Sequence, residues 1–285
     1  MRRSGFVLLA LLMASATGCF SAQPERAIAR FEAFNPFAGP QGEDVVQIDV
    51  AIIERTVGDG YINKDLWQLS DEAVDPELKP ILQKNGFRAC QLGTTPTSGL
   101  LDLLRSEKSC VNPQRIRLHA GNPKSIPLGS IWSSCQYDLD KANVQIPVEF
   151  AKAQCMLTVT PTLTDDGGIT LQFTPEVRYG TPTLKARPVQ EPSGAKSWMM
   201  SAEQEGEAYT WLSWKMTVKP DEFVVVGTLL DRPESLGYRC FLFTETNTPV
   251  QRLLVIRPSR AVHEKSYLEE AEQRILPLAV QAQGR

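Results

Sequence analysis

Histidine is nearly absent from this chain: His119 and His263 are the only two. His263-Glu264-Lys265-Ser266-Tyr267 opens like a zinc-protease helix but has no second histidine, so that metal motif is missing. His119 stands beside a predicted turn, where a solvated loop histidine is the simpler reading. No C-x-x-C pair occurs, which excludes zinc knuckles and thioredoxin-like motifs. No G-x-S-x-G elbow, Walker loop or G-x-G-x-x-G turn follows a strand. Asp165 and Asp166 are adjacent carboxylates on a glycine-containing turn and read as turn formers rather than an acid/base pair or a calcium site. Trp211 and Trp214 could stack on a sugar, but three residues apart on a strand they point to opposite faces, so at least one belongs to the core. The chain is therefore read as non-enzymatic, with no catalytic residue, metal ligand, cofactor or small-molecule substrate.

Charge of one sign is lacking too. Thirty Lys and Arg face 33 Asp and Glu, well mixed, for a net charge of −3. A nucleic-acid footprint would need clustered basic residues, so no nucleic-acid partner is expected. Long apolar runs are missing as well: residues 6–13 form an apolar stretch far too short to span a bilayer. With Arg2 and Arg3 before it, that stretch reads as the core of an export signal. Ala16-Thr17-Gly18-Cys19 follows, small residues before a cysteine, which resembles the lipobox of bacterial lipoproteins. That resemblance implies lipidation at Cys19. Phe20 rather than Asp after it implies the outer membrane, by similarity to the known sorting rule. Ordinary secretory cleavage after Ala16 or Ala22 is the competing reading, and both export the chain.

Beyond Cys19, cysteines stand at Cys90, Cys110, Cys135, Cys155 and Cys240. In an oxidising compartment up to two disulfides could form among them. Small buried thiols are the alternative for any single one, and the sequence does not choose the pairs.

What the chain has in quantity is turn formers and alternation. Twenty prolines and 19 glycines suit strands and turns better than helices. Residues 157–177 alternate on both sides of Asp165-Asp166-Gly167-Gly168, with Leu157, Val159, Pro161 and Leu163 on one arm, Ile169, Leu171 and Phe173 on the other, and Thr between them. This predicts a hairpin with one face on a core and one in water. Residues 45–55 form a strong strand with Val46, Ile48, Val50 and Ile52 on one face. Asp75-Pro76-Glu77 starts a short helix that Asn85-Gly86 stops, and residues 87–92 form a short strand. Ser98 caps a second helix over 99–108, with Leu100, Leu101 and Leu104 as its buried stripe. Alternation resumes at Ile116 and Leu118, and again at Val144, Ile146 and Val148. Residues 181–205 contain Pro, Gly and Ser and are expected to form a mobile loop. Residues 211–218 and 223–230 are expected to pair around Lys219-Pro220-Asp221-Glu222, and residues 238–244 and 252–257 around Asn247-Thr248-Pro249. A helix over 261–281 carries Leu268, Ala271, Ile275 and Leu278 at helical spacing. The fold class is α+β, predominantly antiparallel β with a few short helices. The domain layout is a signal peptide (1–18), a lipid-anchored tether (19–44), a β-rich domain (45–260) and a helical tail (261–285).

Four segments in order resemble the secretins, the outer-membrane ring proteins of type II and type III secretion and type IV pilus systems. Gln47-Ile48-Asp49-Val50-Ala51-Ile52-Ile53-Glu54 is similar to the opening strand of the secretin core. Leu100-Leu101-Asp102-Leu103-Leu104, Asn112-Pro113 and Ile116-Arg117-Leu118 resemble its helix and following strand. The 157–177 hairpin resembles its "VTP…DG…L…PEV" signature, the most specific of the four. Phe223-Val224-Val225-Val226-Gly227-Thr228-Leu229-Leu230 and Leu253-Leu254-Val255-Ile256-Arg257-Pro258 resemble its closing strands.

The departures are equally specific. Only a short tether precedes Val45, where secretins carry ring modules. Thr228 replaces a second glycine, and residues 231–240 stand where the family has its membrane-rim element. Thr and Gln on the outward positions suit water better than lipid, so the strands themselves are expected to stay out of the bilayer. The resemblance implies an envelope protein that self-associates or joins other secretion proteins, held to the membrane by its N-terminal lipid. A monomeric periplasmic binding or scaffolding lipoprotein without a channel is the alternative. The tail could dock an assembly factor or simply cover the sheet.

Overall fold

The computed structural model describes residues 44–68, 74–190, 196–243 and 248–260. The expected tail helix, His263, Cys19, the export signal and the tether lie outside them. Two antiparallel sheets share the chain. The first runs in the order β2 (Phe87–Leu92), β10 (Phe223–Thr228), β12 (Val250–Arg260), β1 (Val45–Thr56), β3 (Cys110–His119), with the short β11 (Leu242–Phe243) also on β12. The second is built on β6 (Val144–Leu163) and β7 (Ile169–Gln190). These are flanked by β4 (Lys124–Pro127) and β5 (Trp132–Lys141) on the β6 side, and by β9 (Trp214–Val218) and β8 (Lys196–Ala208) on the β7 side. The α+β, predominantly antiparallel class is as the alternation and turn chemistry predict.

β1 is central in its sheet, and its sequence says why. Val46, Ile48, Val50 and Ile52 face the second sheet in one core cluster, while Ile53 faces a second cluster under the helices. A strand buried on both faces must be apolar on both faces. The exceptions are Gln47 and Asp49; Asp49 lies across from Arg115 on β3 and Arg257 on β12 and accepts hydrogen bonds of 2.7 Å from each. Partial burial pushes the Asp49 carboxyl up, but the two guanidinium groups outweigh it and hold the carboxyl below the usual range. The inner face of the second sheet supplies Leu157, Val159, Ile169, Leu171, Phe173, Trp214 and Met216. Trp214 stacks on Phe173, with ring centres 5.1 Å apart. Burying side chains of this size stabilises by roughly 1.5–3 kcal/mol each.

The helices are short. α1 (Lys79–Lys84) starts later than expected, with Leu78 at its N-cap position, and the Asp75 carboxylate, accepting from the Glu77 amide at 2.8 Å, shapes the turn before it. α2 (Ser98–Arg105) is capped by Thr97 rather than the expected Ser98, and ends three residues early. Leu100, Leu103 and Leu104 pack into the second cluster. A π-helical turn, Tyr61–Asp65, is pinned to β2 by Arg88, which donates to the Ile62 and Asn63 carbonyls and stacks on Trp67. Burial pushes the Arg88 pKa down to about 10.

α3 (Leu236–Phe241) replaces part of a predicted strand, because Ser235 caps it by accepting from the Tyr238 amide at 3.3 Å. Gly237 lets α3 dock: a β-carbon there would come within 2.4 Å of the Gly86 backbone. Thr228 is fully buried and donates to the Gly86 carbonyl at 2.8 Å, a bond that a glycine at this position could not make. The expected pairing of 211–218 with 223–230 does not occur. β9 joins β7 in one sheet, while β10 joins β2 and β12 in the other. Asp221, at φ +68°, is in the connection that changes sheets.

Candidate assembly surface

The predicted hairpin forms in the register Leu163↔Ile169 to Leu157↔Pro175. Gly167 takes φ +89° in its turn, and Asp166 accepts from the Gly168 amide at 3.3 Å and from the Thr164 hydroxyl. The Thr164 contact, helped by Gly168, holds the Asp166 carboxyl below its usual range. Asp165 and Asp166 are thus turn residues, as their sequence context suggests. The outer face is a ladder of hydroxyls: Thr170 with Thr217 at 2.8 Å, Thr174 with Ser213 at 2.7 Å, Ser125 with Thr158 at 2.8 Å.

Above this base the sheet forks. The last β6–β7 pair is Gln154↔Arg178. Beyond it, residues 144–153 of β6 pair with β5 alone, and residues 183–190 of β7 pair with β8 alone. Two hairpin arms result. Backbone irregularities mark the parting: Lys152 takes φ +52° and Gly180 φ +79°, and the β7–β8 register shifts between Tyr179 and Thr183. A polar cluster holds the fork closed from below. Glu176 accepts from Thr158 at 2.9 Å and from Arg178 at 2.7 Å, and Arg178 also donates to Ser125 at 2.9 Å. Phe150 stacks on Tyr179 at 4.2 Å between the arms. Glu176 belongs to the hairpin signature, but nothing in its spacing announced this clamp.

The second arm corrects an expectation. Residues 181–205, read as a mobile loop, are mostly paired strand, with Thr183↔Glu203 running to Gln190↔Lys196. Residues directly opposite share a face, so Leu184, Ala186 and Pro188 stand with Ala202, Met200 and Trp198. That face is apolar and exposed: Leu184 is 70% accessible, Trp198 71% and Met200 59%. The opposite face carries a Lys185–Glu203 ion pair at 3.1 Å, although Met199 is exposed there too. Polar residues do face outward on the base, as expected; the arm breaks that pattern. On the first arm, Val144 and Ile146 are exposed beside the unpaired β6 edge.

On the two arms, three strand edges lack strand partners among the described residues: the outer edge of β8 and the two edges that face each other across the fork. The outer edge of β5 is covered, because Arg239 donates to the Gln136 carbonyl, the Asp138 amide donates to the Glu234 carbonyl, and Asn85 bonds both backbone groups of Asp140. Unpaired edges carry rows of free N–H and C=O groups that template pairing with another chain. Of the other sequence candidates, His119 lies exposed at the end of β3 with its Nδ1 3.0 Å from Asp44. Trp214 is core, and half-buried Trp211 carries Lys141 over its ring. No group of three metal-ligating side chains occurs among the described residues, and no described helix is long and apolar enough to cross a membrane.

No protein-family model matches the chain, and no curated protein matches it. Among solved structures it is similar to the InvG secretin domain β-barrel from the Salmonella SPI-1 injectisome, at 10% identity and a TM-score of 0.24, over 91% of this chain and 74% of that one. It is similar to the V. cholerae type IV competence pilus secretin PilQ at 13% identity and a TM-score of 0.23, over 84% of this chain and 66% of that one. A third similarity is to the Klebsiella pneumoniae type II secretion system outer membrane complex of PulD, PulS and the PulC HR domain. There the identity is 12% and the TM-score 0.26, over 92% of this chain but 46% of the matched one.

Proposed function

We propose that this chain is a non-enzymatic, lipid-anchored envelope protein with a secretin-like core, whose copies join arm to arm as a ring subunit or ring-associated component of a secretion or pilus-like system. The forked sheet carries the proposal. Open strand edges template pairing with another chain, and a second copy offers the same edges. The ordered secretin-like segments in residues 45–260 support the same reading. Copies joined through the open edges of β8 and of the fork bring their apolar arm faces side by side. A continuous belt of that kind is what closed barrels turn toward lipid. Residues 183–190 span about 26 Å of strand, or roughly 20 Å of height at the usual barrel tilt, most of the ~25 Å apolar band of membrane barrels. Cys19 supplies the anchor and residues 19–44 the tether in this scheme.

The test is the size of the detergent-extracted protein with and without heating. Ring-sized complexes that heating dissociates are expected. A strictly monomeric species would overturn the ring and leave a monomeric scaffolding lipoprotein on the same core. Replacing Cys19 with Ser is expected to release the protein from the membrane fraction or to leave its precursor unprocessed.

A further inference from the structure

Three thiols from three elements meet in the core. Cys135 on β5, Cys155 on β6 and Cys240 on α3 are 2%, 1% and 0% accessible. Cys155 lies within hydrogen-bonding reach of both of the others. Local structure explains the convergence. The φ of +52° at Lys152 interrupts the alternation of β6, so that Ala153, Cys155 and Leu157 all point inward. α3 is laid against β5 by Arg239, which donates to the Gln136 carbonyl at 2.7 Å, and by the Asp138 amide, which donates to the Glu234 carbonyl at 2.6 Å. That brings Cys240 to Cys155 from the helix side.

The other two cysteines are kept away. Cys90 and Cys110 pack in the second cluster, under the helices. They lie on β2 and β3, the two ends of the first sheet, with β10, β12 and β1 between them. At ordinary strand spacing that is about 19 Å, whereas a disulfide needs α-carbons roughly 4.4–6.8 Å apart. Two disulfides, the upper limit from counting cysteines, therefore do not fit these five residues.

We propose that Cys155 is the shared half of a single disulfide, bonded to Cys135 or Cys240, with the third thiol in contact as its exchange partner. In forming the bond two S–H groups are lost and one S–S bond appears. The two electrons and two protons pass to a disulfide-bearing oxidant, which leaves as a dithiol. Exchange is redox-neutral: the third cysteine, as thiolate, attacks the Cys155 sulfur, and the displaced thiolate takes up the proton. The hydrogen bond to Cys155 and burial push the Cys135 thiol up. At Cys155 the contact with Cys135 acts downward, but the Cys240 contact and burial outweigh it. Thiolates are thus scarce in the folded state, so the bond is set, and exchanged between the two partners, while the chain folds. Either bond staples the foot of the first arm: one joins β5 to β6, the other joins β6 to α3.

In the cell the bond rests on the export reading, because it needs an oxidising compartment. The test separates the two. The purified full chain is unfolded, reduced and refolded with oxidised and reduced glutathione; its thiols are blocked and its peptides are mapped without reduction. One bond per chain, always containing Cys155, is expected. Cys240→Ser should give only Cys135–Cys155, and Cys135→Ser only Cys155–Cys240, so the result does not depend on Cys155→Ser folding. A Cys135–Cys240 bond in the parent chain, a bond from Cys155 to any other cysteine, or full blocking of all thiols would overturn the proposal. A bond in vitro with reduced thiols in protein taken from cells supports the pairing and sinks the export reading.

Discussion

β6 and β7 belong to two different environments along one continuous pair of strands. Below Gln154 and Arg178 they have partners on both sides and bury Leu157, Val159, Leu171 and Phe173 completely. Above, each keeps one partner, and Leu184, Trp198 and Met200 face outward. The lower half has its apolar face buried and its strands paired on both sides. The second arm is built of the same kinds of residue but has its apolar face and its outer edge open, whereas the first buries Cys135, Tyr137 and Leu139 in the core. Burial in the base serves the fold; in the proposed assembly, exposure in the arms serves the joining of copies. Substitutions that unfold the base should therefore separate cleanly from those that only stop copies from joining.

The largest loss of stability is expected in the base. Trp214 is 1% accessible and lies against Phe173 and Phe87. Trp214→Ala should cost about 3–5 kcal/mol, read as a lowered denaturant midpoint with an unchanged slope. Next comes Gly237→Ala, whose new methyl would meet the Gly86 backbone at 2.4 Å. Backbone on the far side cannot swing away as a side chain can, so α3 must shift, at a cost of about 1–3 kcal/mol.

A smaller effect follows from Asp49. Its carboxyl is held below its unfolded value of 3.8 despite partial burial, by Arg115 and Arg257. A depressed carboxylate contributes stability that is present above the unfolded pKa and lost as pH falls through the folded pKa. Thermal unfolding should thus move to lower temperature as pH drops from about 4 downward. Asp49→Asn should flatten that part of the profile and leave the arms unaffected.

The base was legible in the sequence for the reason that makes it stable. In β1 and in the 157–177 hairpin a buried face forces strict alternation, and Gly167 supplies a turn that needs no distant partner. The arms were not legible because their pairing is not enforced by a core. Pro182, Pro188, Pro192, Ser193 and Gly194 within residues 181–205 suggested a loop, although Leu184, Ala186 and Pro188 against Trp198, Met200 and Ala202 held the period of two that could have revealed a strand pair. The separation of β9 from β10 was hidden for a different reason: neighbours in sequence are usually neighbours in a sheet, and only the packed structure reveals the change of sheet at Asp221. Likewise, Leu236 to Phe241 is apolar enough for a strand, and the Ser235 cap was the overlooked sign of a helix. The thiol cluster depends on a bend at Lys152 and a docked helix, neither of which cysteine spacing encodes.

The smallest effect on stability should accompany the largest effect on assembly. Trp198 and Met200 are more than half exposed and touch little of the base, so Trp198→Asp with Met200→Asp should move the unfolding midpoint by no more than about 0.5 kcal/mol per site. If copies join through the arms and present these faces as a common belt, two carboxylates per copy would place a ring of like charge along it. The variant should then run as a folded monomer or small oligomer where the parent forms heat-sensitive large complexes. Assembly unchanged in the variant would show that the apolar face is not part of the joint. A large drop in the midpoint would show instead that the arm packs on the base, and the contrast between a buried lower half and an open second arm would fail.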